Sequence, residues 1–433
     1  MTNKVEILDA IMSSGKTTAI LNWFDNNLNQ RYIYVTPLLS EAEGRIADTE
    51  YGCKYAKFYS PEHATTTYFD EDGVERIISG KGVDFLRLLK EGKNVSCTHA
   101  LFSEMTKHHL DWIKSQKYIV VLDEELDVIS GLDGFTKTDK EFLLDNNTIS
   151  IDEENGKVSW IKQVPNNGFK YGKFKWLCDE GMLYAAKRSQ HMMVVQLPIE
   201  LISAAERFIV LSYLFKGSVF DKFLQLHKID TADFTDVVVD SRGVKERIAS
   251  LIEIVGFEHT SKFRTGSLSY NWYDESNNKL KPIENAITGL GRSLGMKAED
   301  VMYTFPKTYA YPSRSNSRKI SAKGYKPESI IKGVRDEYGN TVINKCWVDC
   351  SCRATNELAN KKLLVHCLNR YPNAVVQAFL QDYGYGIDED NFALSEMLQW
   401  MFRGCVRKGE KMYVCILSKR MLGLYNKWLE SIK

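Results

Sequence analysis

The residues best suited to chemistry stand near the start of the chain. Ala10-Ile11-Met12-Ser13-Ser14-Gly15-Lys16-Thr17 fits the spacing [Ala/Gly]-x4-Gly-Lys-[Ser/Thr] of a phosphate-binding loop. In such a loop the backbone N–H groups of Ser13, Ser14, Gly15, Lys16, Thr17 and Thr18 cradle phosphate oxygens, while the Lys16 ammonium reaches the β and γ oxygens. The Thr17 hydroxyl would complete the shell of a magnesium ion. A second cluster lies about a hundred residues on. The apolar run Tyr118-Ile119-Val120-Val121-Leu122 ends in Asp123-Glu124-Glu125-Leu126. Asp123 would hold the magnesium directly or through water, and Glu124 would orient or deprotonate the attacking water. A strand ending in acids is common by itself; paired with the loop, it specifies an ATPase site.

A third group sits in Phe392–Arg407. Gln399, Arg403 and Arg407 fall at i, i+4 and i+8, which would stack them on one face of a helix, with Leu394, Leu398 and Met401 on an apolar face. Planar, permanently charged donors in a row suit a γ-phosphate sensor carried by a facing domain. The competing reading is an exposed basic helix face without a ligand.

These groups need a scaffold. Five short apolar runs alternate with helix-like stretches in the first half: Val5–Ile11, Tyr32–Val35, Asn94–Thr98, Tyr118–Asp123 and Phe208–Tyr213. Continuous hydrophobicity of this kind marks strands covered on both faces of a parallel sheet. With helices over Lys16–Asn27 and Val83–Glu91, the expectation is a doubly wound α/β domain whose ligands bind at the carboxyl ends of its strands. An insertion spans about residues 130–200. Within it Thr148–Ile151 and Lys157–Ile161 flank an Asn-Gly turn and predict a β-hairpin. The segment Phe169–Trp176 then alternates aromatic and basic residues, either a base-stacking platform or an edge strand whose lysines resist aggregation. After the helix Val219–His227, the second half predicts a helix over Val244–Val255 and strands near Ser267–Tyr273, Val301–Phe305 and Ile343–Asp349. A long helix over Asn356–Asn369 follows. The turn-rich, basic stretch Pro312–Lys319 reads as a solvated loop or a nucleic-acid-facing one. The resulting domains are 1–229, an ATPase lobe, and 230–433, a lobe carrying the Gln/Arg helix.

Composition limits the alternatives. Lys+Arg 57 against Asp+Glu 56 leaves no general basic field, so any nucleic-acid contact must be confined to a groove. No apolar run approaches the length of a membrane span, and the start of the chain lacks a signal-peptide layout, so a cytoplasmic location is expected. Among the nine cysteines, Cys346, Cys350, Cys352 and Cys367 lack paired Cys-x2-Cys spacing, which favours reduced thiols over a zinc site.

In order along most of its length the chain resembles a superfamily 2 helicase, similar to the DEAD/DEAH-box-like proteins encoded by bacteriophages and mobile elements. Ala10–Thr17 resembles the family's first motif and Asp123-Glu124-Glu125-Leu126 its acidic box, with Glu125 and Leu126 in place of the usual residues. Tyr34–Glu41, containing Thr36 and Pro37, is similar to a motif that contacts the nucleic-acid backbone. Ser96-Cys97-Thr98-His99 resembles a second such motif. Val210-Leu211-Ser212-Tyr213 stands where a Ser/Thr-Ala-Thr motif couples hydrolysis to domain movement, with Ser212 its clear remnant. Arg353-Ala354-Thr355-Asn356 is similar to a motif linking nucleic acid to nucleotide. Gln399, Arg403 and Arg407 fall at the family's Gln and arginine fingers, Arg407 one position later than usual.

The resemblance implies two RecA-like lobes, ATP and Mg2+ as cofactors, and single-stranded nucleic acid as partner, DNA in preference to RNA. It also implies a place in phage or mobile-element replication or recombination, with the protein partners those require, in the host cytoplasm. Two other readings share the motifs. One is a terminase-type packaging motor, which would carry a following nuclease domain. The other is a nucleotide-dependent switch that binds nucleic acid without unwinding it.

Overall fold

A computed structural model describes the chain except residues 1–3, 48–51, 70–74, 163–169, 257–262, 276–277, 314–316, 336–340, 353–356 and 433. The chain divides into two compact units. The first comprises Met1–Ala10, Gly15–Val239 and Pro372–Asp388; the second comprises Ile11–Ser14, Asp240–Tyr371 and Glu389–Lys433.

The first unit is built on a seven-stranded parallel sheet. Its order is Asp230–Asp233, Lys4–Asp9, Arg207–Ser212, Tyr118–Asp123, Arg31–Thr36, Asn94–Thr98 and Phe58–Tyr59. Tyr118 through Leu122 are all buried, as continuous apolarity requires of a strand covered on both faces. Each such side chain contributes about 1.5–3 kcal/mol when fully buried. Helix Lys16–Asn26 packs Trp23 and Phe24 onto one face, where Phe24 meets Tyr32 with ring centroids 4.3 Å apart and Trp23 meets Phe234 edge-on at 5.4 Å. The strand Asp230–Asp233 joins this sheet at its edge, so the first unit runs ten residues beyond the boundary expected from sequence.

The insertion forms its own small core. Ile149–Ile151 and Val158–Trp160 pair as the expected antiparallel hairpin. A three-stranded antiparallel sheet of Leu183–Ala185, Met193–Gln196 and Ile129–Gly131 adjoins it. The aromatic-basic segment is not an edge strand: Gly172–Asp179 is an α-helix, and Phe169 lies outside the described residues. Phe174, Leu177 and Cys178, spaced three and one apart, fill the core beneath it, and this helical period overrides the apparent alternation. Residues 372–388 return to this unit. Their helix Ala374–Asp382 brings Phe379 against Tyr184, ring centroids 6.4 Å apart, and pairs Asp382 with Arg188 at 2.9 Å.

The second unit has a four-stranded parallel sheet, ordered Ile252–Ile254, Met412–Ile416, Leu363–His366 and Val301–Thr304. Helix Lys281–Ser293 buries Ile283, Ala286, Ile287 and Leu290 in the unit's core. Two sequence expectations fail here and two shift, the helix expected over Val244–Val255 being Ser241–Leu251 followed by the strand Ile252–Ile254. The predicted long helix over Asn356–Asn369 is instead the strand Leu363–His366, because a four-residue apolar run reads equally well as a buried strand. The predicted strand Ser267–Tyr273 is a short helix, Tyr270–Asp274, capped by the Ser269 hydroxyl. The strand expected over Ile343–Asp349 is Thr341–Lys345, in an antiparallel pair with Glu328–Arg335.

Candidate functional site

The parallel sheet of the first unit lines up its chemistry along one edge. Five neighbouring strands end, in spatial order, at Asp9, Ser212, Asp123, Thr36 and Thr98. Register makes Asp9 the partner of Ser212 and Thr36 the partner of Thr98. Residues far apart in sequence, singled out for a nucleotide, a metal, coupling or a nucleic-acid backbone, therefore share the carboxyl edge where α/β sheets bind ligands.

The loop after Asp9 has the form its sequence requires. Ala10 donates its N–H to the Ser212 carbonyl at 3.0 Å, which holds the loop's base on the neighbouring strand. Ser13 and Gly15 take positive φ values of 63° and 84°; the glycine caps helix Lys16–Asn26 in the left-handed region that lacks a Cβ penalty only for glycine. That helix carries its first-turn N–H groups and positive dipole end toward the loop, a favourable setting for phosphate. The Lys16 ammonium donates to the Ala10 carbonyl. Burial holds it below its ordinary pKa, opposed by the carboxylates of Asp123, Glu124 and Asp9. The Ser14 hydroxyl is buried with no hydrogen-bond partner among the described residues, and Thr18 is exposed.

Asp123 sits at the centre. Burial, reinforced by Glu41 and Glu124, raises its carboxyl to about 7, while a hydrogen bond from Tyr34 and the charge of Lys16 pull the other way. The Tyr34 hydroxyl donates to Asp123 Oδ2 at 2.8 Å and is also hydrogen-bonded to Thr17. The two side chains expected to hold magnesium thus meet at one phenol. A carboxylate and a hydroxyl are the hard oxygen donors that Mg2+ takes, and among the described residues no three His, Cys, Asp or Glu side chains form a metal cluster. The residues fit an ion that draws its other ligands from phosphate and water. Glu124 adopts φ 63°, rare for a residue with a side chain and costing about 1–2 kcal/mol, and its N–H is tied to the Leu211 carbonyl at 3.1 Å. The chain thereby leaves the sheet sharply just after Asp123.

The remaining expected residues are placed as follows. The Thr36 hydroxyl, fully buried, donates to Glu41 Oε2 at 3.2 Å, and Pro37 is half-buried beside it in sequence. Thr98 caps the helix His99–Ser103 by accepting from the Leu101 N–H at 3.2 Å, and His99 Nε2 lies 2.9 Å from the Asp123 carbonyl oxygen. Ser212 donates its hydroxyl to Glu125 Oε1 at 2.5 Å. Arg353 and Thr355 lie outside the described residues.

In the second unit, helix Glu389–Met401 stops before the arginines, so Gln399, Arg403 and Arg407 do not stack on one helical face. Gln399 is in its last turn, with Nε2 donating to Ser395 Oγ at 3.2 Å. Arg403 lies in the following turn with only 5% of its surface exposed, and Arg407 is exposed within the 3-10 turn Cys405–Lys408. Gly404 follows the break in a tightly packed position. A Cβ there would stand 2.6 Å from Met412 Sδ and 3.0 Å from the Lys361 carbonyl oxygen, so the chain packs closer than a continuing helix with side chains allows. Sequence reasoning gave no role of their own to Asp9, to Tyr34 and Glu41 at the bounds of their motif, or to Glu125 in the acidic box. Asp9 had a signal in its adjacency to the loop and Glu125 in its place in the acidic box; Tyr34 and Glu41 lie in a motif read for nucleic acid, and it is strand pairing that carries Tyr34 to Asp123.

The two α/β units, each built on a parallel sheet, are consistent with two RecA-like lobes. Two solved structures share this fold: those titled XPD_APO and XPD_Helicase, each with a TM-score of 0.54 and 14% identity over 99% of this chain, covering 96% and 95% of their own. Residues 246–429 match the family described as the YonV C-terminal Rossmann-like domain. Over 455 aligned residues the chain is 27% identical to the SPbeta prophage-derived uncharacterized protein YonV of Bacillus subtilis (strain 168), with 99% of each covered. No helix among the described residues is long and apolar enough to cross a membrane.

Proposed function

We propose that this chain is an ATP-hydrolysing translocase or helicase of superfamily 2 acting on single-stranded nucleic acid, DNA in preference to RNA, in prophage or mobile-element replication or recombination. The observation that carries it is the convergence of Lys16, Thr17 and Asp123 on the phosphate-loop edge of the first unit's sheet. The fold of the XPD structures and the prophage origin of the YonV relative support the same reading.

In this mechanism the N–H groups from Ser13 to Thr18 hold the phosphates, and the Lys16 ammonium exchanges the Ala10 carbonyl for a phosphate oxygen. Thr17 and Asp123 would hold Mg2+, which supplies charge to the transferring phosphoryl group. Glu124 orients water. Gln399, Arg403 and Arg407 are assigned to sensing the γ-phosphate. Thr36, Pro37, Thr98 and His99, with Arg353 and Thr355, are assigned to the nucleic-acid backbone, and Ser212 to coupling. Phosphate contacts position a strand without reading its sequence, so turnover should depend little on base order.

The test is ATP hydrolysis titrated with single-stranded DNA, duplex DNA and RNA, with Lys16→Ala alongside and strand displacement followed in parallel. Hydrolysis stimulated by single strands and abolished by the substitution is expected. Unchanged turnover in Lys16→Ala would overturn the assignment, and stimulated hydrolysis without displacement would demote the protein to a switch.

A further inference from the structure

A polar pocket lies in the first unit, away from the loop after Asp9. Its volume is about 360 Å³, and its walls include Gln30, Arg31, Lys57, Tyr59, Lys93 and Asn94. Arg31 and Asn94 begin their strands, and the loop follows the end of Lys4–Asp9. Because all these strands are parallel, the pocket is at the opposite end of the sheet, beside the edge strand Phe58–Tyr59.

Three cations and no carboxylate line it. Among the described residues neither Arg31, Lys57 nor Lys93 forms an ion pair. The Lys57 and Lys93 ammonium groups lie 5.1 and 5.6 Å from the Tyr59 ring centroid. The backbone under them is fixed. Asn94 donates from Nδ2 to the Lys57 carbonyl at 3.3 Å while its Oδ1 accepts from the Tyr32 N–H at 3.0 Å. The Tyr118 hydroxyl donates to the Lys93 carbonyl at 2.7 Å. Gly92, at φ 67°, leaves room for Arg31, whose Nε would lie 2.9 Å from a Cβ there, and Arg31 itself is anchored to the Gln116 carbonyl at 3.2 Å. One acceptor is left over: Gln30 Oε1 is buried with no hydrogen-bond partner among the described residues.

Unpaired cations held close together on a pinned backbone favour an anion, and like-charge repulsion is relieved when one binds. The volume exceeds what inorganic phosphate fills and lies in the range of small-ligand pockets, roughly 300–1,000 Å³. The buried Gln30 oxygen can accept from a donor on the ligand, and the Tyr59 ring beneath the two ammonium groups adds an apolar surface to the wall. We infer that this pocket binds a phosphorylated nucleoside, its phosphate on Lys57, Lys93 and Arg31 and its hydroxyl or amino group on Gln30. A free nucleotide and the phosphorylated end of a strand present the same chemistry.

Calorimetric titration of the full chain with AMP, 5′-phosphorylated dT trinucleotide and the unphosphorylated trinucleotide tests this. The Lys57→Glu/Lys93→Glu double variant should bind the phosphorylated probe at least tenfold more weakly, while Lys16→Ala binds it within twofold of wild type. Lys57→Arg/Lys93→Arg should restore binding. Response to AMP alone assigns a free nucleotide, and response to the phosphorylated trinucleotide assigns a strand end. Undiminished binding in the double variant, equal binding of the unphosphorylated probe, or no binding of any phosphorylated probe by wild type overturns the inference. If the charge reversals lower the melting temperature, Lys57→Gln/Lys93→Gln provides the same comparison without added negative charge.

Discussion

The phenol of Tyr34 donates a 2.8 Å hydrogen bond to Asp123 Oδ2 across paired strands that are 89 residues apart in sequence. That bond favours the ionised carboxylate in a setting where burial, Glu41 and Glu124 all favour the proton. Tyr34→Phe should therefore leave Asp123 more protonated at neutral pH. We expect about a tenfold rise in the Mg2+ concentration giving half-maximal ATP hydrolysis, equivalent to about 1.4 kcal/mol, with recovery as pH rises above 8. A pH-independent defect would show that Tyr34 acts only as packing.

Ser212 and Glu125 form the other close pair at this edge, 2.5 Å from oxygen to oxygen. Ser212→Ala should leave unstimulated hydrolysis within about twofold, a change of about 0.4 kcal/mol in barrier height, yet remove most of the stimulation by single-stranded nucleic acid. The measurement is turnover with and without a saturating strand. Equal stimulation in both proteins would remove Ser212 from coupling.

Arg403 and Arg407 separate structure from chemistry. Arg403 is buried, so Arg403→Ala should lower stability by about 1–3 kcal/mol as well as impair turnover. Arg407 is exposed, and Arg407→Ala should shift stability by less than about 0.5 kcal/mol while reducing kcat tenfold or more with nucleotide affinity unchanged. Normal kcat in Arg407→Ala would leave Arg403 as the arginine to examine for phosphate sensing.

His366 supplies a pH signature of the second unit. It is fully buried edge-on to Trp400, ring centroids 5.4 Å apart, and burial together with Arg370 pushes its pKa down to about 3. Between pH 6.5 and 3 the unfolded chain takes up a proton there that the folded chain refuses, so stability falls as pH falls through that window. His366→Leu should flatten the pH dependence of chemical unfolding by up to about 1.4 kcal/mol per pH unit between pH 6 and 4. An unchanged slope would mean the imidazole is protonated in the folded state.

The sequence made the first unit's sheet legible because its strands are continuous apolar runs bounded by turn residues; Asn94–Thr98 and Tyr118–Asp123 carry the boundaries read from sequence. The Gly-Lys-Thr loop and the acids after Leu122 were equally visible as motifs, being local. What escaped was non-local. Leu363–His366 has the same apolarity in a strand as in a helix, and only its pairing with Val301–Thr304 and Met412–Ile416 decides the matter. The helix ends at Met401 and Gly404 packs tightly against Met412 and the Lys361 carbonyl, contacts that no helical spacing encodes. Tyr34 is drawn into the site by strand order alone.

Residues 372–388 leave the second unit's sequence, supply a helix to the first and hand the chain back at 389. The two units are therefore joined by several covalent tethers. A fragment ending near residue 239 would strip Val376, Phe379 and Leu380 from the surface they cover and should be sticky and prone to aggregate.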